Sequence, residues 1–321
     1  MTIITWLRDN YPDEFYHEFF VCNAAAEKND LCMLKWLRAQ DPPCPWDEFV
    51  CANAAQNGNF EMLKWARTQK PPCPWSVYTC SFSARSGNLE MLKWARAQDP
   101  PCPWNDWVCT QAAYQGHLHI IQWARAQNPP CDWNAEVVTK AAHRADFTML
   151  KWLKSQTPAC DWNVEACKAA AKNNNMEVLK WLRNPNMPLT SPFPCPWNVD
   201  VLLASAMNGN LEMMKWARND PRPCGGEQIY ESVLMVAAQE GHLEICKWLR
   251  KQNPPCEFHP MICANAALHG HLHVLKWLRA QDPPSPWDKN TCSSAALNGH
   301  LNVLKWCRAQ KPPCPWDDEV A

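Results

Sequence analysis

Five pairs of cysteines stand seven residues apart: Cys44 and Cys51, Cys73 and Cys80, Cys102 and Cys109, Cys160 and Cys167, and Cys256 and Cys263. Paired thiolates are the ligands of structural zinc, yet those sites favour closer pairs, with roughly two to four residues between the cysteines. The column that holds Cys51 is filled elsewhere by Val138, Leu202 and Leu234, so it alternates with aliphatic residues and reads as core packing. The loop column that holds Cys44 takes Ser285 once, with no other change to Pro283-Pro284-Ser285-Pro286-Trp287. No metal and no cofactor are expected, and the thiols are expected to be reduced. Nineteen cysteines, an odd number with no secretory signal ahead of them, fit an intracellular, cytoplasmic chain better than a disulfide framework.

Histidines alternate at His269, His271 and His273, and His117 with His119 repeats part of the arrangement. Alternate positions on a helix point apart, so these rings cannot chelate one ion together. The sequence has no Gly-rich phosphate loop, zinc-protease motif or nucleophile elbow, and the chain reads as a non-enzyme. A basic ladder is the remaining candidate for chemistry: Lys35, Lys64, Lys93 and their equivalents, joined by Arg38, Arg67, Arg96 and theirs. An unbroken basic stripe binds polyanions. Here Glu61, Glu90, Glu177, Glu212 and Glu244 precede lysines by three residues, where opposite charges pair, so the ladder reads as a solvated outer face.

These residues recur because the chain repeats itself. A tryptophan returns at positions 36, 65, 94, 123, 152, 181, 216, 248, 277 and 306, with spacings of 29, 29, 29, 29, 29, 35, 32, 29 and 29. A fixed period of this size marks a stack of structural modules. In the module that begins at Trp46, Asp47 is a good helix N-cap, and the equivalent sites are Ser76, Asn105, Asn134, Asn163, Asn198 and Asp288. The first helix is predicted to run to about Asn57 and to end at Gly58. The second is predicted from about Phe60 to Gln69, where Pro71-Pro72 stops it. Phe60, Leu63 and Ala66 form its apolar stripe, widened by Met62 and Trp65. The loop tryptophans Trp46, Trp75 and Trp104 are expected to cover the seam between modules, because a row of bare indoles would aggregate.

The run Cys263-Ala264-Asn265-Ala266-Ala267-Leu268-His269-Gly270-His271-Leu272-His273-Val274-Leu275-Lys276-Trp277-Leu278 resembles the helical pair of the ankyrin repeat. Gly209-Asn210-Leu211-Glu212 and Gly241-His242-Leu243-Glu244 repeat part of it. The resemblance implies an all-α, ankyrin-like helix-turn-helix solenoid of about ten repeats, and His117, His242, His271 and His300 fill the structural Gly-His turn of that family. It departs from the family in period, mostly 29 residues against about 33, and in replacing the family's hairpin by Pro-Pro-Cys-Pro-Trp. β-Hairpins are therefore expected to be absent or vestigial. Similar short-period arrays with a Cys-Pro-Trp loop are expanded in large DNA viruses and single-celled eukaryotes.

One repeat array is expected over residues 1–321, with a partial repeat at 1–19, ten repeats over 20–308 and an acidic stub at 309–321. Asn184 to Pro196 and Asn219 to Glu231 are irregular joints between modules, read as tolerated insertions. A formal charge of -1 gives no global reason for nucleic acid or an anionic membrane as partner, and no apolar run is long enough to span a bilayer. The expected molecule is an elongated, helical monomer.

Function is read as protein binding, by a scaffold or adaptor that uses the concave, first-helix face. The positions between Ala-Ala and the turn glycine are the most varied of the module, and in the ankyrin family they face that side. The candidate partner-binding residues are Arg85, Tyr114, Lys140, His143, Arg144, Lys168, Lys172, Leu203, Met207, Met235 and Leu268. The cations among them point to an acidic ligand segment, and the leucines and methionines to apolar contacts beside it. The alternatives are polyanion or nucleic-acid binding through the second-helix ladder, which the Glu–Lys pattern disfavours, and a ubiquitin-ligase adaptor with an F-box-like remnant at residues 12–20.

Overall fold

The computed structural model describes residues 20–184, 195–220, 229–252 and 255–316, and the description below concerns these alone. The partial first repeat, most of the F-box-like segment, most of both irregular joints and the last five residues lie outside them. Two compact units are present, Met1–Asp161 and Trp162–Ala321. Every described element is a helix or a turn, and no strand occurs among the described residues.

In the first unit the helices are α1 (Phe20–Glu27), α2 (Leu31–Arg38), α3 (Glu48–Gln56), α4 (Phe60–Thr68), α5 (Val77–Arg85), α6 (Leu89–Arg96), α7 (Trp107–Gln115), α8 (Leu118–Arg125), α9 (Ala135–His143) and α10 (Phe147–Ser155). The second unit holds α11 (Val164–Lys172), α12 (Met176–Leu182), α13 (Asp200–Met207), α14 (Leu211–Arg218), α15 (Tyr230–Gln239), α16 (Leu243–Arg250), α17 (Pro260–Leu268), α18 (Leu272–Arg279), α19 (Lys289–Leu297) and α20 (Leu301–Arg308). Odd-numbered helices are the first helices of their modules and even-numbered ones the second. Within each unit every first helix packs on the next first helix and on its own second helix, as a stack of antiparallel pairs should. The predicted helices are found, each ending one residue before the predicted limit in the module that begins at Trp46.

Small residues let the first helices approach. Ala54, Ala55, Ala112, Ala113, Ala141 and Ala142 are fully buried, as are the helix-column thiols Cys51, Cys80 and Cys109. The second helices contribute Leu63, Leu92, Ile121 and Leu150 from the apolar stripe. Asp47, Asn105, Asn134, Asn163, Asn198 and Asp288 each accept a bond from a first-turn amide. Ser76 does not, which departs from expectation. A second set of caps starts the second helices: Asp30, Asn59, Asn88, Asp146, Asn175 and Asn210 all accept from the amide three residues on.

The turn glycines take the left-handed conformation, and where glycine is missing Asn29, Ala145 and Asn174 adopt it instead. In four modules histidine replaces the asparagine cap and makes no cap bond. His242 instead reaches back to the Met207 carbonyl of the preceding module, 3.2 Å away.

Burial pushes the His117 and His271 imidazoles below their ordinary value of 6.5, and the neighbouring His119 and His273 add to the effect. The fold therefore favours the neutral rings. Their contribution is complete above about 6.5 and is lost as the pH falls below it, because the unfolded chain takes up the protons first. The thermal midpoint is expected to fall between pH 7.5 and pH 5.5. It should fall less in the His117→Asn/His271→Asn variant, since asparagine already serves at Asn59 and Asn88. Differential scanning fluorimetry at the two pH values checks this, and equal drops in both proteins would refute it.

Candidate interaction surface

The second-helix face is largely occupied by the fold itself. Lys64, Lys93, Lys215 and Lys247 pair with glutamates three residues earlier at 2.7–3.6 Å. The arginines turn back onto the Pro-Pro-Cys-Pro-Trp loop. Arg96 donates to the Cys102 carbonyl at 2.6 Å and lies 4.2 Å over the Trp104 ring. Arg67 and Arg125 do the same with Cys73 and Trp75 and with Cys131 and Trp133. In the second unit Arg183, Arg250 and Arg279 repeat the device, with Phe258 in place of tryptophan under Arg250. The arginine half of the ladder is thus a loop clamp rather than a row of solvent-facing charges.

The loop tryptophans do cover the seam. Trp46 lies under Arg38 of the preceding module and stands edge-on to Trp65 of its own at 5.9 Å, and Trp75 to Trp94, Trp104 to Trp123 and Trp133 to Trp152 follow at 5.9–6.2 Å. The second-helix tryptophans are half-buried rather than fully buried, because they sit at the rim of the core where this aromatic pairing occurs.

The thiols are arranged by module, but not in the pairs that stand seven apart in sequence. Cys22 faces the Cys44 carbonyl, Cys51 that of Cys73 and Cys80 that of Cys102, each 22 residues away, because the loop folds back beneath its own module. The loop thiols point to the preceding N-cap carbonyl, as Cys131 does to Asn105 at 3.2 Å and Cys160 to Asn134 at 3.1 Å. Burial pushes the Cys160 and Cys246 thiols up to about 12, which leaves them protonated and poor as ligands or nucleophiles. Among the described residues no group of three or more His, Cys, Asp or Glu side chains is placed to hold a metal ion.

The first-helix face differs in kind. In the first unit it brings Arg85, Tyr114, Lys140 and Arg144 together across α5, α7 and α9. Tyr114 is 43 % exposed, with the Arg85 guanidinium 5.5 Å and the Lys140 ammonium 5.8 Å from its ring. Lys140 also pairs with Glu136 at 3.2 Å. Arg144 lies against the open face of Gly116 and donates to the Tyr114 carbonyl at 3.4 Å, so its stem serves the module joint. His143 is exposed beside it.

In the second unit Lys168 is held between Glu165 at 3.7 Å and Asp200 at 2.9 Å, and its hydrogen bond keeps the Asp200 carboxyl below the usual carboxylate range. Lys172 is exposed, with its carbonyl accepting from Asn208. Met207 is 53 % exposed, while Leu203, Met235 and Leu268 are half-buried on α13, α15 and α17. Lys140 and Lys168 are therefore each neutralised by a carboxylate within their own unit.

One column on this face is absent from the candidate residues drawn from the sequence. Phe49, Tyr78 and Trp107 occupy the same module position on α3, α5 and α7, and their rings touch. Their 29-residue spacing was the available signal.

Residues 167–259, in the second unit, match the family model for ankyrin repeats, in three copies. No curated protein matches. Among solved structures, the pentatricopeptide repeat protein PPR10 in complex with an 18-nt psaJ RNA element is similar at 8% identity and a TM-score of 0.42, over 95% of this chain and 56% of that one. The pentatricopeptide repeat protein PPR10 from maize gives 10% identity and a TM-score of 0.36, over 99% of this chain and 47% of that one. The chain thus spans about half the length of the solved chains it matches.

Proposed function

We propose that this chain is a protein-binding scaffold or adaptor that receives its partner on the first-helix face, and that it performs no chemistry itself. One observation carries the reading: exposed, varied side chains stand on that face over a template of buried alanines and thiols, while the opposite face spends its cations on internal pairs and loop clamps. Fixed packing beneath variable exposed positions is how stacked repeats present a binding surface. The ankyrin match over residues 167–259 supports the same reading. The proposed partner carries acidic and apolar residues, which Arg85, Tyr114 and Lys140 in the first unit and Lys172, Met207 and Leu268 in the second are suited to meet. We place the protein in the cytoplasm as a monomer, where its thiols stay reduced. No helix among the described residues is long and apolar enough to cross a membrane.

The test is a comparison of baits. Full-length chain is used to capture partners from the source cell, alongside a first-helix variant, Tyr114→Ala/Lys140→Glu, and a second-helix variant, Lys64→Glu/Lys93→Glu. The expected result is a partner depleted on the order of tenfold by the first variant and retained by the second, with unchanged thermal melts. The reverse pattern, with capture collapsing as salt rises, would establish polyanion binding through the second helices instead.

A further inference from the structure

The aromatic column in the first unit ends in a cavity, and the two together define a ligand. Phe49, 45 % exposed, stacks on Tyr78 with ring centres 6.0 Å apart and planes at 23°. Tyr78 stands 5.9 Å from Trp107, which is 43 % exposed. Trp107 also walls a cavity of about 230 Å³ whose other sides include Arg85, Tyr114 and Lys140. Lys140 is taken by Glu136, whereas Arg85 has no carboxylate partner among the described residues. The exposed rings of Phe49 and Trp107, joined through the half-buried Tyr78, form an apolar surface that water solvates poorly, and a guanidinium without a carboxylate at its end favours an anion.

We infer that the α3–α5–α7 face of the first unit binds an extended peptide segment of a partner protein, with apolar side chains at alternate positions over Phe49 and Tyr78 and an aspartate or glutamate in the cavity against Arg85. This rests on the protein-binding reading above and narrows it to one site and one ligand chemistry. The spacing supports an extended chain: side chains on one face of a strand recur about every 6.6 Å, close to the ring-to-ring steps of 6.0 and 5.9 Å. The charge supports a peptide over a nucleic acid. Several free cations would be needed along a phosphate backbone, whereas on this face Lys140 is paired with Glu136, itself part of the cavity wall, and Arg144 donates to the Tyr114 carbonyl.

Phage-displayed random 12-residue peptides selected on the full-length chain provide the probe. The expected consensus has apolar residues at alternate positions followed by Asp or Glu. A selected peptide should bind about tenfold or more weakly to Arg85→Ala and to Phe49→Ala, and its acidic-to-amide analogue should lose as much on the wild-type chain. Lys64→Ala should leave binding unchanged, and circular dichroism melts should show all three variants folded. No enrichment, a basic consensus, affinity indifferent to Arg85→Ala, or displacement of the peptide by a 12-nucleotide single strand would each overturn the inference. A cellular partner that still binds the Arg85→Ala chain but is lost from Tyr114→Ala/Lys140→Glu would sink this ligand while leaving the scaffold reading intact.

Discussion

Arg96→Ala is expected to cost about 3 kcal/mol of stability, although the residue lies on a helix face that reads as solvated. Its guanidinium donates at 2.6 Å to the Cys102 carbonyl and stacks 4.2 Å over Trp104. A hydrogen bond from a charged donor contributes about 1.5–3 kcal/mol, and a partly desolvated cation–π contact about 0.5–2 more. The loss spreads beyond the loop, because Trp104 is itself the edge-on neighbour of Trp123 in the next module. Arg96→Lys should recover less than half, since an ammonium cannot be planar over the indole and still reach the carbonyl. Urea unfolding followed by tryptophan fluorescence measures both. A change below about 0.5 kcal/mol in Arg96→Ala would show that the loop holds its form without the clamp.

What could be read from the chain follows from what kind of signal each contact leaves. The pairing of helices was legible in Met62, Leu63 and Ala66, because burial on a helix writes itself as a period of three and four residues. The arginine clamp was not legible, because its acceptor is a backbone carbonyl, at residue i+6 in the regular modules and i+12 for Arg183, and any residue has a carbonyl. Only the constant eight-residue step from Arg67 to Trp75 and from Arg250 to Phe258 marked it. The spatial neighbours of the thiols were not legible for a related reason: the loop's return under its own module sets Cys51 against Cys73, a separation of 22 residues that carries no periodic mark.

The candidate surface divides in the same way. Arg85 and Tyr114 were legible as varied positions of the module and Lys140 as sharing a helix side with Arg144, and the side chains of Arg85 and Lys140 flank the Tyr114 ring. Their electrostatic state was not, since it depends on Glu136 four residues before Lys140 and, for Lys168, on Asp200 in the following module. Phe49, Tyr78 and Trp107 went unread because aromatic residues at one module position look like core until exposure is known.

Gly241→Ala is expected to be as damaging as the loss of an arginine clamp, at about 3 kcal/mol, and for two separable reasons. Gly241 has φ of +78°, a conformation that costs an L-residue roughly 1–2 kcal/mol. A Cβ there would also stand 2.6 Å from Nδ1 and 2.7 Å from Cε1 of His271, inside van der Waals contact, so the imidazole of the next module must move. Gly299 isolates the first cause: its φ is +70°, yet nothing lies within 4 Å of the added methyl. Gly299→Ala should therefore lose only the backbone share. His271→Asn isolates the second, because asparagine caps the second helix at the equivalent Asn59, Asn88 and Asn210. Alone it should be nearly neutral, and combined with Gly241→Ala it should restore about half of the loss, a coupling on the order of 1–2 kcal/mol that a double-mutant cycle measures directly. Equal losses for Gly241→Ala and Gly299→Ala, with no coupling to His271, would mean that the ring swings aside at no cost and that the backbone alone requires glycine at this turn.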